Sequence, residues 1–409
     1  MERLIVLPAL VMCLWTASGF PLRADILDHW TTNQITTNAF GLKHVVYGNG
    51  RYVAAAEELG AKGAIYSSED GLTWTLRFSD NTSWGLSLNY SAGQFAGIGG
   101  SGMVDISSDG ITWSSASLPS NLFDRGAIGA NGQAITYGNG VYVTVGDTNG
   151  VGNILTSSDG FIWTSHSINP APGGRITGVV WGGSGFVAIG NNDGLEYTSA
   201  TGSGLWSRSS LPGGSSISYG NGLYIVPLNA KTNLLSRNGT TWSLQSTGLT
   251  NQLGAVTYAH GLFLAQCGVS SSGGYLVTST DGTNWIQYAK PMPHSWQVAY
   301  WTDFDVSLAT DGTRLVSVGA ICNPSAVDVY NSFIYTSDIL AAVRLTNNPS
   351  QQIALSGLVG RNYQIRSIDT LGTGKWRTNL TLPLPNTPYV WTDSTATNSQ
   401  RFYRAALLP

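Results

Sequence analysis

Charge is scarce in this chain. Lys, Arg, Asp and Glu together make up 11% of its 409 residues, where an ordinary soluble domain carries roughly 25%. The formal net charge is −3, and no block of Lys or Arg occurs anywhere. A nucleic-acid or anionic-membrane surface needs such a block, so neither partner is expected. Beyond residues 1–24 no apolar run approaches the roughly 20 residues a bilayer-spanning helix requires. His44, His166 and His294 lie in different repeats with no ligand-like spacing, which argues against zinc. No cofactor motif is present, and none is expected.

Cysteine is nearly absent as well. Of the three, Cys13 lies in an N-terminal segment that reads as a secretory signal. Arg3 supplies the positive start, residues 4–15 a short apolar core, and Thr16, Ala17, Ser18 and Gly19 the small residues for cleavage, with Ala24 as a second position. Residues 1–24 are therefore read as a signal peptide, and the mature chain as secreted, periplasmic or on the cell surface. Cys267 and Cys322 remain; in an oxidising compartment they form either a disulfide or two separate buried thiols.

What the chain does have is glycine, 51 residues of it, and a repeat. One phrase runs apolar strand, Ser/Thr, Asp-Gly turn, Trp. It ends at Trp74 (Ser68-Glu69-Asp70-Gly71-Leu72-Thr73-Trp74), Trp113, Trp163, Trp242 and Trp285, with a degenerate copy at Trp206. A second phrase alternates with it: strand, Asn-Gly, strand, as in Tyr47-Gly48-Asn49-Gly50-Arg51-Tyr52, Tyr137-Gly138-Asn139-Gly140-Val141-Tyr142 and Tyr219-Gly220-Asn221-Gly222-Leu223-Tyr224. Asn-Gly between apolar runs signals a hairpin, because both central residues need φ > 0. Each period thus holds four antiparallel strands, A to D, at the size of a propeller blade.

Six units are complete. A seventh offers residues 297–301 as strand A, 314–319 as strand B and 333–338 as strand C, and then stops without a Trp. Residues 28–32, around Trp30, read as a strand D with nothing before it. Trp30 precedes Trp74 by 44 residues, against 43 between Trp163 and Trp206. The expectation is an all-β fold: a seven-bladed β-propeller over residues 25–342, closed by its N-terminal strand, followed by a small β-sandwich over 343–409. The repeated Trp is expected to fill the space between blades, and the Ser and Asp of the turn to bond its backbone.

The Ser-x-Asp-Gly-x-x-Trp phrase resembles the Asp box, or bacterial neuraminidase repeat, of sialidase-like β-propellers, over about residues 28–338. That resemblance implies the fold and leaves the activity open. Sialidases carry an arginine triad that begins in a Phe/Tyr-Arg-Ile-Pro stretch. Here Arg175-Ile176 is preceded by Gly174 and followed by Thr177, so sialidase chemistry does not carry over residue by residue. The ending Arg401-Phe402-Tyr403-Arg404-Ala405 resembles the C-terminal fibronectin-type-III-like modules of secreted proteins from Verrucomicrobia-like bacteria, and implies attachment or spacing.

Topology places the D–A and B–C loops on one face and the tight hairpins on the other. Function is usually carried by the longer, varied loops. A glycosidase would draw its two carboxylates from Glu57, Asp124, Asp147 and Asp193. A polysaccharide lyase would use His44 or His294 as base, with Arg125 or Arg175 stabilising the carbanion. A binding propeller would use Lys43, Trp84, Lys231 and Trp296. The favoured expectation is a monomeric exported propeller that recognises a glycan, or another extracellular ligand such as a protein, on that face. A carbohydrate-active enzyme at the same place and a protein-assembly scaffold are the alternatives.

Overall fold

The computed structural model describes residues 30–407 apart from 35–38, 59–61, 80–86, 100–101, 120–133, 149–150, 167, 169–174, 192–193, 215, 229–230, 260, 268–274, 292–306, 312–313, 323–329, 338–340, 346–351, 358–361, 370–375, 386–388 and 396–400. The expected signal segment lies outside the described residues. Every regular element among those described is a β-strand. Residues 32–311 with 316–336 form one compact unit, and residues from 337 onward, grouped with 30–31 and 314–315, belong to another.

The first unit is a seven-bladed β-propeller. Blade 1 consists of Ala39–Gly48, Arg51–Glu58, Lys62–Ser68 and Thr75–Ser79, paired in that order as an antiparallel sheet. Blades 2 to 6 repeat the plan over residues 87–117, 135–166, 175–210, 218–246 and 257–291. Blade 7 takes Ser307–Thr310, Leu315–Cys322 and Tyr330–Ser337 as strands A to C, and its strand D is Trp30–Gln34 from the other end of the chain. The closure expected from the spacing is present. Strand A of blade 7 is not at residues 297–301, which lie outside the described residues; it is Ser307–Thr310. Thr310-Asp311-Gly312 stands where other blades carry an aromatic residue before a Gly-containing turn, so the repeat is hard to recognise there.

Both kinds of hairpin follow from their sequences. Asn49 and Gly50 have φ of 47° and 74°, and Asn139–Gly140 and Asn221–Gly222 match them closely, as a turn with two positive φ angles requires. In the C–D turn of blade 2 the Ser107 hydroxyl accepts from the Gly110 N–H at 2.8 Å and donates to Asp109 Oδ1 at 3.0 Å. Asp109 Oδ1 also accepts from the N–H groups of Ile111 and Thr112, each at 2.8 Å. In blade 5 Asn238 does the same work, accepting from Thr240 and Thr241 at 3.0 and 2.8 Å. Blade 4 lacks the Asp, yet its Ser199 hydroxyl still accepts from the Gly202 N–H at 3.0 Å.

The tryptophans fill the seams between blades. Trp74 of blade 1 packs on a cluster that includes Ala309, Val316, Val318 and Ile334 of blade 7. Trp163 packs on Ala96, Ile98 and Val104 of blade 2, and Trp206 on Val143, Val145 and Ile154 of blade 3. The indole N–H groups of Trp74, Trp163, Trp206 and Trp285 each donate at 3.1 Å to a glycine carbonyl of their own turn. Trp242 donates instead to the buried carboxyl of Glu196 in blade 4, which also accepts from Ser209 Oγ at 2.6 Å. Burial raises the Glu196 pKa against the pull of those two donors.

The seam that closes the ring is tied by polar contacts too. Ser307 Oγ in strand A of blade 7 accepts from the Val45 N–H at 3.0 Å and donates to its carbonyl at 2.9 Å. Thr336 Oγ1 donates to Gly71 O at 2.7 Å.

The second unit holds two three-stranded sheets, one of Ala341–Leu345, Gln352–Gly357 and Tyr389–Thr392, the other of Asn362–Ile368, Arg377–Pro383 and Phe402–Leu407. They share a core around Leu355, Tyr363, Ile365 and Leu384. Arg401 and Tyr403 of the C-terminal motif bind the buried Asp393 at 3.0 and 2.7 Å, and Arg401 also reaches Asp369 at 2.8 Å. The motif is thus structural glue: a buried carboxylate persists because it is paired and hydrogen-bonded.

Backbone N–H donors hold the pKa of Asp109 below its ordinary value, those of Thr112 and Ile111 above all. A carboxylate with a depressed folded pKa adds stability above its unfolded pKa and loses it as pH falls through the folded one. Asp109→Asn, which copies blade 5, should keep the fold near neutral pH and flatten the acid limb of a chemical-denaturation series; an unchanged acid limb would contradict this role.

Candidate functional site

The seven A strands line a central cavity of about 190 Å³. Its described wall is neutral. Asn89, Thr136, Ser218 and Thr257 line it, one from each of four blades, together with five aromatic side chains: Tyr47, Tyr90, Trp181, Tyr219 and Tyr258. Among the described lining residues there is no Asp, Glu, Lys or Arg, and His44 is the single imidazole.

The aromatic residues occupy one repeated position, the residue just before the A–B turn. Each packs across its own hairpin on an aromatic residue of strand B: Tyr90 on Phe95 with ring centroids 4.6 Å apart, Trp181 on Phe186 at 4.6 Å, Tyr258 on Phe263 at 4.8 Å. The other side of the ring lies against the preceding blade. A Cβ placed on Gly48 would run into the face of Tyr90, one on Gly138 into Trp181, and one on Gly220 into Tyr258. Glycine is required at these points because a ring sits directly on the backbone. The faces of Tyr90, Trp181 and Tyr258 are taken up by packing, so the channel meets their edges. Tyr90 carries its hydroxyl to Asn49 Oδ1 at 3.0 Å.

His44 is 7% exposed. Burial, with a smaller contribution from the Lys43 charge, lowers its pKa from 6.5 to about 3. The imidazole is therefore neutral at physiological pH. A general base works best with a pKa near the working pH, and His44 is far below it.

Of the other residues singled out from the sequence, Asp147 and Arg175 come together. Arg175 Nε lies 2.9 Å from Asp147 Oδ2; the carboxylate side chain is 2% exposed and the guanidinium 59%. The pair bridges the end of strand B in blade 3 and the start of strand A in blade 4. Lys43 and Lys231 are exposed, in blades 1 and 5. Glu57 has its backbone in strand B of blade 1, opposite Gly41 and Gly63; its side chain is outside the described set. Trp84, Asp124, Arg125, Asp193, His294 and Trp296 lie outside the described residues.

The Cys267 thiol is free and buried, donating to Asn251 O at 3.3 Å, and burial raises its pKa. The side chain of Cys322 is outside the described set, so the structure contains no Cys267–Cys322 bridge to describe. Among the described residues no group of three His, Cys, Asp or Glu side chains could hold a metal ion, and no helix is long and apolar enough to cross a membrane.

Strand A lines the channel, as the strand order implies, but sequence reasoning missed the aromatic residues at its A–B-turn end. The aromatic residue stood in plain view before each Gly-containing turn, in Tyr47-Gly48, Tyr90-Ser91, Trp181-Gly182, Tyr219-Gly220 and Tyr258-Ala259. It was read as part of the hairpin signal. Its recurrence at a fixed offset from the turn, in six of seven blades if Tyr137 is included, is the signal that would have found it.

Two measurements follow from this geometry. Gly138→Ala drives a Cβ into the Trp181 ring and should cost about 1–3 kcal/mol by denaturant titration; a neutral outcome would mean the ring is not seated there. The unfolded chain takes up a proton near pH 6.5 that the folded chain refuses at His44, so this group makes stability fall as pH drops from 6.5 towards 3. His44→Leu should make that decline shallower, and the wild-type imidazole should show no NMR titration around neutrality.

No family model matches the chain, and no curated protein matches it. Solved structures match at the level of fold. The GH74 enzyme of Niastella koreensis aligns with a TM-score of 0.52 and 13% identity over 85% of this chain and 74% of that one. YCF48 bound to D1 peptide gives 0.50 and 15% over 77% and 99%. A chain of the mitotic checkpoint complex gives 0.50 and 12% over 78% and 98%. Likeness at this identity speaks to the β-propeller fold and not to activity.

Proposed function

We propose that this protein is an exported recognition propeller that binds a glycan, with the ligand approaching from the face of the D–A and B–C loops. The observation that carries the glycan part of this reading is the neutral channel wall among its described residues; the face of approach rests on the longer, varied loops there. The wall offers amide and hydroxyl groups in place of an acid–base pair. The two basic and acidic candidates in view are poorly suited to proton transfer. His44 has its pKa pushed far down by burial, and Asp147 is committed to Arg175. Low overall charge suits an uncharged partner for the same reason: nothing attracts a polyanion at long range. Lys43, Lys231, Trp84 and Trp296 are the residues proposed to border the ligand on that face.

A peptide is the second class of ligand, since YCF48 has been solved bound to D1 peptide. The test is retention of the purified protein on immobilised neutral and acidic polysaccharides, with the same glycans in solution assayed for unsaturated uronate and for new reducing ends. Retention on a neutral glycan with neither product is the expected result. Sustained product release would replace this reading with the enzyme, and binding to peptides alone would replace it with protein recognition.

A further inference from the structure

A glycan can be gripped along its length or by one residue, and the central cavity bears on which. Its volume of about 190 Å³ is below the roughly 300–1,000 Å³ of sites that enclose drug-sized ligands. Its described walls are the A strands of all seven blades, which ring it, so among the described residues a polymer has no side entrance to lie across it. A chain can enter only by an end.

The wall chemistry decides what sort of end. Aromatic side chains around a cavity usually suggest stacking on a sugar face, or a cage for an ammonium ion. Both need an open π-face. Here the faces of Tyr90, Trp181 and Tyr258 are pressed between a glycine of the preceding blade and an aromatic residue of strand B. What these three rings leave for a ligand is their edges, with Asn89, Thr136, Ser218 and Thr257 beside them. The phenol, alcohol and amide groups in this set both donate and accept hydrogen bonds. A ligand rich in hydroxyl groups satisfies them. A carboxylate would enter with no Lys or Arg among the described lining residues to pair with it, and a buried unpaired charge is costly.

We infer that the central channel is a terminal-residue pocket: it takes the single, uncharged, pyranose-sized end of a glycan and reads its hydroxyl groups edge-on. The inference rests on the glycan reading above and narrows it to chain ends and to neutral sugars. It assigns specificity to Asn89, Ser218 and Thr257.

The test uses the full mature chain and methyl glycosides of neutral hexoses as probes, titrated calorimetrically, with the matching hexuronates alongside. A neutral hexoside should bind saturably and compete with the retained polysaccharide, and the hexuronate should not. Asn89→Leu and the shape-matched Thr257→Val should each weaken the hexoside by about 3- to 10-fold, the loss of one or two net hydrogen bonds, with an unchanged thermal midpoint. If Asn89→Leu disturbs folding, Thr257→Val decides. Polysaccharide binding without hexoside binding would leave the glycan reading intact and overturn the pocket. Unchanged affinity in Thr257→Val, or equal binding of the hexuronate, would also overturn it. Absence of binding to both hexoside and polysaccharide would remove the two readings together.

Discussion

The structure depends on aromatic rings laid on backbone at the seams between blades. A four-stranded sheet has two faces to cover, and a propeller covers them only with neighbouring blades. Two kinds of ring serve the seams. The tryptophan after the C–D turn fills the outer part, as Trp74 does against Val316, Val318 and Ile334. The aromatic residue before the A–B turn fills the inner part, as Trp181 does over Gly138. The second contact works only where the backbone is bare, which is why Gly48, Gly138 and Gly220 carry no side chain.

This packing has a consequence for the channel. Rings spent on holding blades together cannot also stack on a ligand, so an aromatic wall becomes a hydrogen-bonding wall. The only imidazole described there, His44, is kept neutral by burial. A chain with few charges in its sequence also shows no Asp, Glu, Lys or Arg among the described residues of its channel wall. The second unit follows a different rule. Its buried carboxylate, Asp393, is retained because Arg401 and Tyr403 answer it.

The architecture was legible because its signals are local. Asn49-Gly50 demands two positive φ angles, Ser107 and Asp109 close their own turn, and seven tryptophans keep time along the chain. Even the N-terminal closing strand could be placed, since Trp30 kept the same interval. Strand A of blade 7 was misplaced because Thr310 breaks the aromatic pattern and residues 297–301, next to Trp296, offered a rival. The site was far less legible. Of the charged candidates, Asp147 and Arg175 share a contact, yet nothing in their separate motifs foretold it.

Sequence alone determined the blade count, the hairpin types, the order of strands and the closure of the ring, because each is set by residues within a few positions of one another or by a fixed period. Tertiary structure alone decided the character of the channel. Tyr90 lies 42 residues beyond Gly48, Trp181 lies 43 beyond Gly138, and which face of each ring is buried depends on how one blade is laid against the next. The protonation state of His44 was settled in the same way, by desolvation that only the assembled ring imposes.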